Sequence, residues 1–258
     1  TVSRCGMVYF DPTTLPFSAL IDSYLKTVEN ESLREFLKSN LNETVSKFIE
    51  FTEMKVQMKL GSNPLFLLRN MLNLLRSFND LLREPIYQES PDGDEVKEID
   101  PLNDSIYFSE FRNHERQTIP YFKDDCSSFE NIVLFCIIWT FGANLTDSSR
   151  EVFSEFVKSN YSFIPKEKTV FDYFYNIALN KWEEWCDGKT GLTITEGKPL
   201  ESQLIPTNET ASAMFLSRLL VNHEIHFLLA GPESCKSLVI KTLTTDILES
   251  KFDCRNLP

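Results

Sequence analysis

The chain has 258 residues, enough for two domains or one large one, and 42% hydrophobic content with 21 Phe and only 8 Gly favours a packed core over a loop-rich fold. A formal net charge of −12 weighs against nucleic acid or an anionic membrane surface as partner, since both need concentrated Lys and Arg. The longest apolar candidate, residues 132–141, falls short of the ~18–20 residues of a membrane span, and the opening residues show no basic-then-apolar leader of a secretory signal.

Residues 1–16 read as the tail of a preceding unit, with Met7, Val8, Tyr9 and Phe10 as a short strand that stops at the turn signal Asp11-Pro12. From about 17 to 60 the pattern is helical, with apolar residues three and four apart at Leu33, Phe36, Leu37 and Leu41, then Val45, Phe48 and Ile49. Gly61-Ser62-Asn63-Pro64 interrupts it and opens another helix, with Pro64 near the first helical position. Leu67, Leu68, Met71, Leu72, Leu74, Leu75 and Phe78 give that helix a broad apolar face.

Residues 84–117 are different in character. The stretch 89–104 holds seven acidic residues with Pro91, Gly93 and Pro101, which predicts an exposed loop or a divergent insert. Residues 129–141 return as an apolar helix around Trp139, ended by Gly142, and Asp147, Ser148 and Ser149 supply N-cap candidates for a helix over 150–158. The segment 170–205 is aromatic and irregular, a packed connector with short strands and turn residues at Asp187-Gly188 and Gly197. A helix is predicted over 212–221. Six cysteines (5, 126, 136, 186, 235 and 254) form no CxxC pair, Cys136 sits in an apolar run, and His114, His223 and His226 lack metal-site spacing to any Cys. A reducing compartment and no metal are expected.

The stretch with the most chemical content is 226–247, HFLLAGPESCKSLVIKTLTTDI. Phe227, Leu228, Leu229 and Ala230 read as a buried strand that breaks at Gly231-Pro232. Lys236 and Ser237 then open a segment whose Leu238, Val239, Leu243, Ile247 and Leu248 suit one helical face. Strand, loop and helix in that order let a helix N-terminus present N–H groups to a phosphate. A working phosphate loop has the spacing GxxxxGK followed by Ser or Thr, because glycines let the backbone take φ > 0 and approach the phosphates closely. Here Gly231-Pro232-Glu233-Ser234-Cys235-Lys236-Ser237 is one residue shorter, Cys235 fills the slot of the final Gly, and Glu233 repels phosphate charge. The run therefore reads as the relic of a nucleotide site. No Walker-B strand or switch follows within the 21 residues after Ser237, which sets aside a small P-loop kinase or GTPase. The chain stops too soon to supply a nucleotide-domain sheet and reads as a fragment.

Over essentially its whole length the sequence resembles a dynein heavy chain, an AAA+ ring motor. Thr1-Val2-Ser3-Arg4-Cys5-Gly6-Met7-Val8-Tyr9 is similar to the TVSRCGMVY run that closes the large subdomain of the second AAA+ module, and is the most specific match. Ile138-Trp139-Thr140-Phe141-Gly142, with Ser149-Arg150 and Phe153, resembles the family's W-S-x-G…R-x-x-F stretch in the helical small subdomain, more by spacing than identity. Trp182-Glu183-Glu184-Trp185, Ile205-Pro206-Thr207 and the loop at Gly231 resemble the entry into the third module.

The resemblance implies a mainly α fold with short β segments. An AAA+ helical small subdomain would be followed by the opening strand–P-loop–helix of an incomplete α/β AAA+ core. It divides the chain into the end of the second large subdomain (1–16), the helical small subdomain (17–160, with the acidic loop at about 84–117), a connector (161–205) and the start of the third module (206–258). Such motors couple ATP hydrolysis in the first module to movement along microtubules, and the third site is regulatory in some members. Arg4 matches the arginine-finger position that faces the first module's nucleotide; without the resemblance it reads as a salt-bridged surface residue. Arg69, in Phe66-Leu67-Leu68-Arg69-Asn70-Met71, falls near the position of a sensor arginine, and Gly231, Lys236 and Ser237 are the nucleotide-loop residues.

The cofactor implied is ATP or ADP with Mg in the intact ring, weak or absent at 231–237. The partners implied are neighbouring AAA+ modules of the same chain and, through other regions, microtubules and dynein intermediate and light chains. The location implied is the cytoskeleton, leaning to the ciliary axoneme, and the segment alone is not expected to be catalytic. Three departures stand out: the short loop, Ser212 where the family commonly has Arg, and the acidic stretch 89–104 with no counterpart. The first two count against nucleotide at the third module. The competing reading is a non-motor helical scaffold or interaction segment with an inert loop relic.

Overall fold

The computed structural model describes residues 16–79, 86–89, 96–99, 126–177, 180–186, 204–205, 207–222, 225–227, 229 and 235–244. They are mainly helical with short strands. The chain divides into two compact units, one of 1–73 with 124–157 and the other of 74–123 with 158–258.

The first unit holds α1 (Phe17–Leu25), α2 (Glu31–Lys55), the first part of α3 (Pro64–Asn79), α4 (Cys126–Phe141) and most of α5 (Asp147–Asn160). The single helical pattern expected over 17–60 is broken. Asn30 stops one helix and caps the next, its Oδ1 accepting from the Leu33 N–H at 2.9 Å, and Glu31 sits in the first turn where the helix dipole favours an acid. α2 packs against α1 and α4. Its buried residues recur at three and four (Leu33, Leu37, Leu41, Val45, Phe48, Ile49, Thr52), and the Thr52 hydroxyl is satisfied by the Phe48 and Ile49 carbonyls, both at 2.9 Å. Phe48 is the hub of an aromatic cluster, with ring centroids 6.3 Å from Phe141, 5.9 Å from Phe153 and 5.4 Å from Phe156.

α3 starts where the sequence placed it, with Asn63 Oδ1 accepting from the Leu65 N–H at 2.9 Å ahead of Pro64. α5 starts earlier than expected, at Asp147. The Thr146 carbonyl accepts from the Arg150 N–H at 2.9 Å, so Asp147, Ser148 and Ser149 form the first turn rather than the cap. Thr is among the residues that cap helices, and Asp147 in the first turn lies at the positive end of the dipole. The segment after α2 pairs with the α4–α5 turn. Met58 bridges Leu145 in antiparallel sense, and Asn144 pairs with both the N–H (3.0 Å) and the carbonyl (2.5 Å) of Leu60.

In the second unit, β1 (Ile86–Glu89) and β2 (Val96–Ile99) pair antiparallel with Ile86 opposite Ile99 and Glu89 opposite Val96. Part of the acidic stretch is therefore a hairpin rather than loop; Asp92-Gly93 is a hairpin-turn signal that the charge count outweighed. Residues 90–95 and 100–117 lie outside the described set.

A 3₁₀ turn (Val170–Asp172) leads into β3 (Tyr173–Asn176) and β4 (Lys181–Glu184), which pair with Tyr173 opposite Glu184 and Asn176 opposite Lys181. All four β3 residues are buried. Asn180 takes φ 49°, a left-handed conformation that Asn tolerates, and its Oδ1 accepts from the Tyr175 hydroxyl at 2.5 Å. α6 (Asn208–Asn222) begins before the predicted 212, because Thr207 caps it. The Thr207 hydroxyl accepts from the Thr210 N–H at 3.2 Å and its carbonyl from the Ala211 N–H at 2.8 Å. α7 (Lys236–Leu243) packs on α6.

Of the strand expected at 227–230, Leu228 and Ala230 lie outside the described residues, and Phe227 and Leu229 belong to neither described sheet. Phe227 and Leu229 pack on the cluster of Met214, Val239 and Leu243. No described helix is long and apolar enough to cross a membrane.

Candidate nucleotide-loop site

The start of α7 carries the chemistry. Val239 and Leu243, four residues apart, are buried against Met214 of α6 and hold the short helix in place. Its cap is Cys235, at φ 49° and ψ 16°, whose carbonyl accepts from the N–H groups of Leu238 (2.9 Å) and Val239 (3.0 Å). A residue with a Cβ adopts this left-handed conformation at a cost of about 1–2 kcal/mol, which glycine escapes. Cys235 is thus in a glycine conformation in the slot where a phosphate loop has its final Gly. Lys236 and Ser237 follow as the first two residues of the helix, half-buried and exposed respectively.

These described residues fit a phosphate: a left-handed turn, then a cation and a hydroxyl at a helix N-terminus. Gly231 and Glu233 lie outside the described residues, as does Arg4. Arg69 is exposed on α3 and belongs to the first unit, whereas Lys236 and Ser237 stand together in the second. Cys136 is a buried free thiol that desolvation pushes well above the usual thiol range, which makes it inert core. Among the described residues no three His, Cys, Asp or Glu side chains gather as metal ligands.

A second polar assembly lies in the turn before β3. Asp172 closes a capping box on Thr169, its Oδ2 accepting from the Thr169 N–H at 3.0 Å and hydroxyl at 2.6 Å. Its Oδ1 accepts from Asn208 Nδ2, at the first residue of α6, at 2.8 Å. Thr169-x-x-Asp172 was the local signal; the long-range partner had none.

Two family models match the chain in succession: "Dynein heavy chain AAA lid domain" over residues 105–187 and "P-loop containing dynein motor region" over 192–258. Dynein axonemal heavy chain 3 of Homo sapiens is 24% identical over 257 residues, covering 90% of this chain and 6% of the relative. The Mus musculus protein of the same name is 23% identical over 256 residues, with the same coverage. The chain belongs to the dynein heavy chain family.

Its fold is accordingly that of an AAA+ motor segment, mainly helical with short strands. The Dynein alpha chain, flagellar outer arm, of Chlamydomonas reinhardtii is 30% identical over 106 residues, covering 39% of this chain and 2% of that protein. The chain thus spans only a small part, about 6%, of the dynein heavy chains that match most of it. Within the lid match, the dynein-like residues around Trp139 have a structural task. The Gly142 N–H closes α4 on the Ile138 carbonyl at 2.9 Å, Arg150 Nη2 donates to the Ala143 carbonyl at 2.9 Å, and Phe153 is fully buried beside Phe48. That motif fixes a helix–turn–helix rather than a reaction.

Proposed function

We propose that this chain is the part of a dynein motor ring that runs from the end of the second AAA+ module, through its helical small subdomain, into the third module. The observation that carries the reading is the order of the two family matches, lid at 105–187 and P-loop motor region at 192–258, with Lys236-Ser237 opening a helix inside the second. On this reading residues 1–16 close the second large subdomain, 17–160 form its small subdomain, 161–205 connect, and 206–258 begin the third module. The whole motor couples ATP hydrolysis to movement along microtubules, working with its own neighbouring modules and with intermediate and light chains bound elsewhere.

Arg4 is the arginine finger in this scheme. A guanidinium held against the neighbouring module's nucleotide neutralises charge that develops on the transferred phosphoryl group, an effect worth ~10³–10⁵ in rate. Arg69, exposed on α3, is the candidate sensor. At the third module Lys236 and Ser237 would hold phosphate and Mg, supplying charge and a hydroxyl ligand. The shortened run and Glu233 weaken that site, so ATP there is bound loosely or not at all.

The test is Arg4→Ala in the intact motor. Microtubule-stimulated ATPase should fall at least about tenfold with ATP binding nearly unchanged; unaltered turnover removes the finger. The names of the relatives, axonemal and flagellar, support an axonemal site of action. The tagged heavy chain is expected along the axoneme, and purely cytosolic signal in ciliated cells would contradict it.

A further inference from the structure

We infer that Asp172 is a positioning residue that locks the β3–β4 hairpin to the nucleotide-loop helix, so that the two move as one element. The link has a polar half and an apolar half. In the polar half, Asp172 offers one carboxylate oxygen to each side: Oδ2 to Thr169 in its own turn and Oδ1 to Asn208 Nδ2 at 2.8 Å, thirty-six residues away. An ionised carboxylate only accepts, so the amide of Asn208 must present its nitrogen, and the pair has a single polarity. In the apolar half, Trp185 is tied to the same turn twice, its N–H to the Asp172 carbonyl and its indole to the Phe171 carbonyl, both at 3.1 Å. Its ring stacks on Phe174 of β3 at 5.0 Å and meets Phe215 of α6 at 5.5 Å.

α6 then hands the constraint on. Met214, next to Phe215, packs with Val239 and Leu243, the two buried residues that seat α7 and with it Lys236. The hairpin therefore grips α6 at its first residue and mid-length, and α6 grips α7. Lys168, paired with Glu184 of β4 at 2.6 Å, closes the near end of the hairpin onto the same turn. This coupling is a property of the fold and stands whether or not the loop takes nucleotide.

The test is Asn208→Asp in the full chain, read by amide hydrogen exchange. The change sets carboxylate against carboxylate, yet an acid at the first helical position suits the dipole, so α6 itself is not weakened. Exchange should rise about fivefold or more at 236–243 and 173–184, not only at 208–211. The double variant Asp172→Asn with Asn208→Asp reverses the polarity and restores a donor–acceptor pair, so exchange should return to near the parent. Asn208→Ala, which removes the donor without adding charge, should give a smaller rise with the same distribution. A rise confined to 208–211, or a double variant no better than the single, overturns the coupling. So does unchanged exchange in both Asn208 variants.

Discussion

Among the described residues two that are not glycine have positive φ, and they are not equivalent. Asn180 belongs to a type that visits the left-handed region readily, and its side chain is engaged by the Tyr175 hydroxyl. Cys235 has the same φ of 49° with an exposed side chain and no cap hydrogen bond, so its Cβ costs energy that nothing local offsets. Cys235→Gly should therefore raise stability by about 0.5–1 kcal/mol, the relief of strain less the extra freedom of glycine in the unfolded chain. Asn180→Gly should be neutral or harmful. Urea midpoints at constant m distinguish the two, and an equal shift for both would contradict this account. The same Cys235→Gly variant should not recover tight ATP binding, because Glu233 and the missing residue remain. A map of the intact unaltered motor at saturating ATP with clear triphosphate and Mg against Lys236 and Ser237 would overturn the weak-site reading.

Elements repeat this division between local and non-local signals. The Asn63-Pro64 start of α3 and the Gly142 end of α4 were legible because caps are local chemistry. The Asn30 break inside 17–60 was not, because apolar spacing continues across it and a lone Asn is a weak mark beside Leu33, Leu37 and Leu41. The β1–β2 hairpin was hidden under its charge. The Lys236 helix was readable from sequence, but the left-handed turn before it was not, since Cys rarely adopts one. The α2–α4–α5 aromatic cluster belongs to the first unit. Phe48 is fully buried there among Phe141, Phe153 and Phe156, so Phe48→Ala should cost about 3–5 kcal/mol. Met54, six residues on in the same helix, is 71% exposed, and Met54→Ala should stay within about 0.5 kcal/mol. Comparable losses for the two in urea unfolding would mean that the Phe48 cluster is not the core of this unit.

At the scale of the whole molecule, the chain order and the packing order differ. The helical small subdomain proposed over 17–160 is continuous in sequence, yet the compact units divide α3 after Asn73 and α5 after Val157. The last turns of α3 carry Leu74, Leu75 and Phe78, all buried, and Phe78 lies 6.4 Å from Phe215 of α6, far outside 17–160. An excised 17–160 piece keeps the Phe48 cluster, whose members all fall inside it, and should stay strongly helical by far-UV circular dichroism. It also loses the α6 residue against which Phe78 rests. Aromatic and aliphatic area left bare on one helix face favours association through that face. The piece should therefore be monomeric only at low concentration, and extending it to 222, which restores Phe215 and the Asp172–Asn208 pair, should return it to a monomer. Sedimentation velocity across a concentration series decides the matter. A 17–160 piece that stays monomeric at high concentration would show that the end of α3 is complete without α6, and that sequence order sets the unit boundary after all.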